Sequence, residues 1–271
     1  MVLAHEFVTA VGARPTRSLV FLHGILGSGQ NLRTLARRFV EAHPDWAGVL
    51  VDLRRHGRSI DAPGVDTLQG AADDVETLAK TLALPAGAVI GHSFGGKVAL
   101  AWLATGPGSL KHAVLIDSNP GPRPDARGSE GTLSVVDDLE SMAAASFESR
   151  DAFIGALSTR GHARPVAQWL AQSLRRDDDG WRFAPPIPAI RALLASYFAL
   201  DLWPVVEAPP GDSAVHLVVG ERSKVLDTDD RNRAHALAGP KVTVDFLPTD
   251  HWVHVEDLEG LLKVLAHRLG P

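Results

Sequence analysis

Six short apolar runs rich in Val, Ile and Leu punctuate the chain: SLVFLHG from Ser18, GVLVDLR from Gly48, AVIGHS from Ala88, HAVLIDS from His112, VHLVVGE from Val215 and VTVDFLP from Val242. Their apolar character is continuous rather than alternating, which predicts strands buried on both faces of a parallel sheet. Between them, apolar residues recur at helical spacing: Leu32, Leu35 and Phe39; Leu68, Val75, Leu78 and Leu82; Leu258, Leu261, Leu262 and Leu265. Strands alternating with amphipathic helices predict an α/β fold, a doubly wound and mostly parallel sheet with helices on both faces.

From about Asn119 to Pro210 the alternation stops and helical patterns follow one another: Thr132 to Phe147, Asp151 to Ser158, Val166 to Arg176 and Ala189 to Phe198. Breaker-rich stretches bound this region, with Asn119, Pro120, Gly121, Pro122 and Pro124 on one side and Pro209, Pro210 and Gly211 on the other. The organisation expected is an α/β core over residues 1–118 and 211–271, with 119–210 inserted as a helical cap, or lid. The charge run Arg175 to Asp179 reads as a solvated loop.

Composition narrows the function classes. At 271 residues, with 45% hydrophobic and 22% charged side chains, the chain can bury one substantial core. Its longest unbroken apolar run, Val98 to Ala104, is far short of the roughly 20 residues that span a bilayer. The opening MVLAHEFVTAVGARP carries His5 and Glu6 within its apolar stretch, unlike a secretory signal, so a cytoplasmic location is expected. The absence of cysteine excludes disulfides, thiolate nucleophiles and cysteine-ligated metals, leaving catalysis to Ser, His and carboxylates. A net charge of -5 argues against a nucleic-acid partner.

The candidate chemistry centres on Gly91-His92-Ser93-Phe94-Gly95, where an apolar strand meets the helical run KVALAWLA. This G-x-S-x-G pattern, in that context, reads as a nucleophile elbow presenting the Ser93 hydroxyl at the sheet edge. A serine needs an imidazole base. His251, after the last strand and the turn-like Pro248-Thr249-Asp250, stands at the carboxyl edge where open α/β sheets carry their sites; His254 is the fallback. An oxyanion needs two preorganised donors, read here as the N–H of Phe94 and that of Ile25, with Gly24 permitting the backbone turn before it.

Taken together, HGILGSGQNL from His23, DLRRHGRS from Asp52, GHSFGGKVAL from Gly91 and DHWVHVED from Asp250 resemble the α/β-hydrolase superfamily, and most of all its small cytoplasmic serine esterase branch. The resemblance covers residues 18 to 118 and 213 to 271, and touches the insertion only at Gly180-Trp181-Arg182-Phe183. It implies Ser93 as nucleophile, His251 as base, and Ile25 and Phe94 as oxyanion donors. Many members carry the acid as G-x-x-D after the strand that follows the lid; here that block is Gly220-Glu221-Arg222-Ser223, with serine in the expected place. Asp117, at the end of AVLIDS on the strand beside the nucleophile strand, is the first candidate for the acid, as in some small esterases. Asp227 comes next, then Glu221 and Asp250.

A rival reads Gly91 to Lys97 as a phosphate-binding loop, G-x-x-x-x-G-K, but Val98 stands where that motif needs a metal-ligating hydroxyl. Lys97 is then expected on a helix surface. His251 and His254 form H-x-x-H without a third ligand, so no metal is expected, and no cofactor. The expected activity is hydrolysis of carboxylic esters, or thioesters, through an acyl-enzyme on a small-molecule substrate. The alternatives are a receptor or regulatory protein of the same fold without turnover, a carbon-carbon hydrolase and a cofactor-free haloperoxidase. The lid aromatics Phe147, Phe153, Trp169, Tyr197, Phe198 and Trp203 are expected mostly in lid core, some lining an acyl pocket.

Overall fold

The computed structural model describes residues 2–270. Among these described residues nine strands form, β1 (His5–Val8), β2 (Arg17–Leu22), β3 (Trp46–Val51), β4 (Ala86–His92), β5 (His112–Ile116), β6 (Leu174–Asp177), β7 (Gly180–Phe183), β8 (Ala214–Gly220) and β9 (Val242–Leu247). The helices are α1 (Arg33–Ala42), α2 (Leu68–Ala79), α3 (Phe94–Ala104), α4 (Glu130–Ser141), α5 (Arg150–Thr159), α6 (Arg164–Leu170), α7 (Ile187–Ala199), α8 (Trp203–Glu207), α9 (Thr228–Leu237), α10 (Val253–Glu256) and α11 (Leu258–Leu269).

Seven strands make one sheet in the order β1-β3-β2-β4-β5-β8-β9, parallel except for β1, which pairs antiparallel with β3 at the edge. All six apolar runs became strands of this sheet, because continuous Val, Ile and Leu can be covered on both faces only there. The short HEFV strand lacks such a run and has no sequence signal of that kind. On one face Leu35 and Phe39 of α1 pack with Leu261, Leu265 and Leu269 of α11. On the other, α2 and α3 join the residues that follow β5 in a second core. Each such Leu or Phe, fully buried, contributes about 1.5–3 kcal/mol.

Between β5 and β8 the chain adds no strand to this sheet. It forms α4 to α8 and a separate hairpin of β6 and β7. Here the structure departs from the expected pattern. The helix expected over Val166 to Arg176 ends at Leu170, and Arg175 to Asp177 pair with Gly180 to Arg182 instead of forming a loop. The hairpin is docked by paired backbone hydrogen bonds between Trp181 and Phe147, and Gly180 supplies the positive φ of its turn.

Candidate active site

The strand order brings four chain segments to one sheet edge. Ser93 follows β4, Asp117 follows β5, Ser223 lies just beyond β8 and His251 lies beyond β9, so the groups succeed one another in the order of adjacent strands. The loop from His23 to Leu26 follows β2 on the other side of β4.

Ser93 joins β4 to α3 with φ 52 and ψ -118, a left-handed backbone that a serine adopts only under local compulsion. The motif glycines explain the compulsion: a Cβ on Gly91 would lie 2.1 Å from the Gly95 carbonyl oxygen, and one on Gly95 would lie 2.4 Å from that of Leu22. Chain segments therefore close in on the turn until the serine has one way out. Its N–H donates to Ile116 O at 2.9 Å, tying the elbow to β5.

Asp117 is fully buried, with φ 44, and its carboxylate is gripped from three sides. Gly220 N–H donates to Oδ1 at 3.1 Å, the Ser223 hydroxyl donates to Oδ2 at 2.5 Å, and His251 Nδ1 meets Oδ2 at 2.7 Å. The Val225 N–H occupies a lone pair of the Ser223 oxygen at 3.2 Å, which turns the hydroxyl proton toward Asp117. With Nδ1 of His251 donating to the carboxylate, its Nε2 is left as a lone pair. The other acid candidates are engaged elsewhere. Asp227 caps α9 and pairs with Arg127 at 3.1 Å, Asp250 lies 3.5 Å from Arg222, and Glu221 is exposed. His254 is buried without a carboxylate partner, and burial followed by the neighbouring His251 pushes it down to about 4.

Two buried neutral histidines hold the loop after β2. His23 Nε2 accepts from Leu53 N–H at 3.0 Å and its Nδ1 donates to Gly24 O at 2.7 Å. His56 Nε2 accepts from Leu26 N–H at 2.9 Å, its Nδ1 donates to Arg54 O at 2.7 Å, and burial pushes it down to about 3. The left-handed residue of this loop is Leu26, at φ 63, not Gly24. Gly24 is needed for space: a Cβ there would lie 3.1 Å from His92 Nδ1 and 3.5 Å from the Ser93 Cβ. Among the described residues, neither the Ile25 N–H nor the Phe94 N–H, at the first position of α3, donates to another protein group.

Two adjoining cavities of about 330 and 270 Å³ meet here, sharing Ile25, Ser93, Gly131, Thr132 and His251. The larger is walled by apolar groups including Leu26, Val135, Val166, Trp169 and Trp252. The smaller adds Phe94, Tyr197 and Phe198 to the cationic Arg222 and Lys224. Of the aromatics between β5 and β8, Phe153 and Trp203 are core, whereas Trp169, Tyr197 and Phe198 line the cavities. Lys97 is not on a surface. It is fully buried, its Nζ donating to Gly121 O and Tyr197 O at 2.7 Å each and lying 4.7 Å from the Tyr197 ring centre. The sequence held no signal for this, because the stripe of α3 that faces the residues between β5 and β8 is set by tertiary packing.

Among the described residues no group of three or more His, Cys, Asp or Glu side chains is arranged to hold a metal ion, and no helix is long and apolar enough to cross a membrane. The model of the alpha/beta hydrolase family matches residues 19–264. Esterase YbfF of Escherichia coli (strain K12) is 28% identical over 269 residues, covering 97% of this chain and 96% of its own. The sn-1-specific diacylglycerol lipase ABHD11 of Xenopus laevis is 24% identical over 253 residues, 92% of this chain and 78% of its own. Among solved structures, a marine microorganism esterase superposes with a TM-score of 0.82 at 22% identity, covering 98% of each chain.

Proposed function

From a chain that belongs to the alpha/beta hydrolase family, we propose a serine hydrolase of carboxylic esters that works through an acyl-enzyme, with Ser93 as nucleophile, His251 as base and Asp117 as acid. The observation that carries this reading is the 2.7 Å contact of His251 Nδ1 with a fully buried Asp117, on a histidine that shares the cavity mouth with the strained Ser93. The whole-length likeness to an esterase at 28% identity supports the ester as substrate class. Residues 119–210 act as the cap over a core of 1–118 and 211–271.

The Ser93 hydroxyl attacks the ester carbonyl carbon while His251 Nε2 takes its proton. The imidazolium so formed is oriented and stabilised by Asp117. The π electron pair of the carbonyl moves onto its oxygen, and the unengaged N–H groups of Ile25 and Phe94 are the donors that meet the oxyanion. Collapse of the tetrahedral adduct releases the alcohol, which takes the proton from Nε2 and leaves an acyl group on Ser93. Water, deprotonated by the same Nε2, then releases the carboxylic acid. Ser223 and Gly220 hold the Asp117 carboxylate in place, a task their hydrogen bonds suit because both donate to its oxygens. No cofactor enters these steps.

The test is steady-state hydrolysis of a short-chain p-nitrophenyl ester by the wild type and by Ser93→Ala, with circular dichroism on both. Multiple turnovers by the wild type, with kcat lower by about 10³ or more in a folded Ser93→Ala, are expected. Turnover that survives the substitution refutes the nucleophile; a wild type that neither turns over nor acylates favours a receptor.

A further inference from the structure

β4 ends one residue before the nucleophile, on His92, a buried imidazole without an assigned part in the chemistry above. Its Nε2 lies 2.9 Å from the backbone carbonyl oxygen of His251, a residue 159 positions away. A carbonyl oxygen only accepts, so Nε2 carries the hydrogen and the lone pair of the neutral ring sits on Nδ1. That lone-pair edge is pressed toward the loop after β2, where a Cβ on Gly24 would come within 3.1 Å of it. The ring also packs against His251 at 4.6 Å between centroids, His254 at 4.5 Å and Trp252 at 5.5 Å. One side chain thus meets the backbone of the base, lines one cavity with the loop that carries Ile25, and is covalently next to Ser93.

We infer that His92 is a positioning residue: its Nε2–H fastens the backbone of His251 to the nucleophile strand, and Gly24 lacks a side chain so that this ring can lie against the oxyanion loop. The inference rests on the serine-hydrolase reading above. An imidazole suits the task better than lysine or arginine, which could also donate to a carbonyl. His251 becomes a cation during the reaction, and a second cation stacked against it would oppose that charge. Burial first, and then the charges of His254 and His251, push His92 well below the ordinary histidine range, so the ring stays neutral. Phenylalanine would fill the volume but offer no hydrogen. Glutamine keeps an amide N–H at about the reach of Nε2.

The discriminating experiment measures kcat and KM on a p-nitrophenyl ester for wild type, His92→Phe and His92→Gln, each checked by circular dichroism. Loss of the fastening should lower kcat of His92→Phe by about ten- to a hundredfold with KM changed by less than about twofold, because small displacements of a catalytic group act on the chemical step. His92→Gln should stay within about fivefold of the wild type. Wild-type kcat in His92→Phe, or an equal loss in both variants, overturns the inference. A reading that does not depend on variants folding comes from long-range 15N spectra of the wild type labelled at histidine. His92 should show the Nε2–H tautomer unchanged across neutral pH; a proton on Nδ1, or a ring that becomes doubly protonated in that range, overturns it. If the wild type lacks Ser93-dependent turnover, the serine-hydrolase reading fails instead, and the tautomer still decides the hydrogen bond.

Discussion

Lys97 offers a stability test that needs no substrate. Its amine is fully buried and hydrogen-bonded to the carbonyl oxygens of Gly121 and Tyr197, with the Tyr197 ring beside it. Burial pushes it down from 10.5 to about 7, with Asp201 pulling upward and Arg123 downward. Between these two values the unfolded chain binds a proton that the folded chain has released, so stability rises with pH through this window. The slope from one such group approaches about 1.4 kcal/mol per pH unit, and its integral from pH 7 to 9 is about 2 kcal/mol. Lys97→Met keeps much of the volume and removes the titration, at a pH-independent cost of about 1–3 kcal/mol for each carbonyl left without a donor. Urea unfolding of both proteins at matched ionic strength, at pH 6, 7, 8 and 9, gives the difference in stability, in which all other titrations cancel. That difference, variant minus wild type, should fall by about 2 kcal/mol between pH 7 and 9. A difference flat with pH would mean that Lys97 keeps its proton in the folded state and would refute the argument.

Other expectations concern the site. Asp117→Asn should lower kcat by about 10³–10⁴ with the fold retained, by analogy with other triads that lose their acid. Asp227→Asn should leave kcat near wild type and cost about 1 kcal/mol or less in urea unfolding, because it caps α9 and is not in contact with the base. Ser223→Ala should lower kcat about tenfold by releasing Asp117 Oδ2 from its hydroxyl, and Ser223→Thr should restore most of the loss. In a complex with a transition-state analogue, the Ile25 and Phe94 N–H groups should lie about 2.7–3.1 Å from the oxyanion; a different donor in place of Ile25 would remove it from the site.

Much of the sheet was legible because its signal is local. Strands covered on both faces must be continuously apolar, and a nucleophile elbow must place glycines on either side of a serine at a strand-helix junction. Asp117 could be nominated from sequence because it ends the strand next to the nucleophile strand. Not legible in the sequence were the engagements of the other acid candidates, Asp227 as the cap of α9 and Asp250 facing Arg222. Ser223 was visible as a departure from the G-x-x-D pattern, but its partnership with an aspartate 106 residues away is not written locally. The same is true of His92 and His56, ordinary polar positions in their own segments that gain meaning from carbonyls and N–H groups on distant loops. Sequence places Lys97 on a surface because a charge on a helix is usually solvated, and its burial follows from residues between β5 and β8 packing over α3. The β6–β7 hairpin was missed because an exposed Arg-Arg-Asp strand has no apolar alternation to reveal it.

A covalent intermediate on Ser93 can be trapped and located by labelling. The wild type is treated with a fluorophosphonate probe, which captures an activated serine, and the adduct is mapped by peptide mass spectrometry in parallel with Ser93→Ala. A single adduct on Ser93, stoichiometric with loss of ester turnover and absent from the variant, is the result this account predicts. Stoichiometric inactivation with the adduct on another residue, or full turnover in protein that the probe leaves unlabelled, would contradict it.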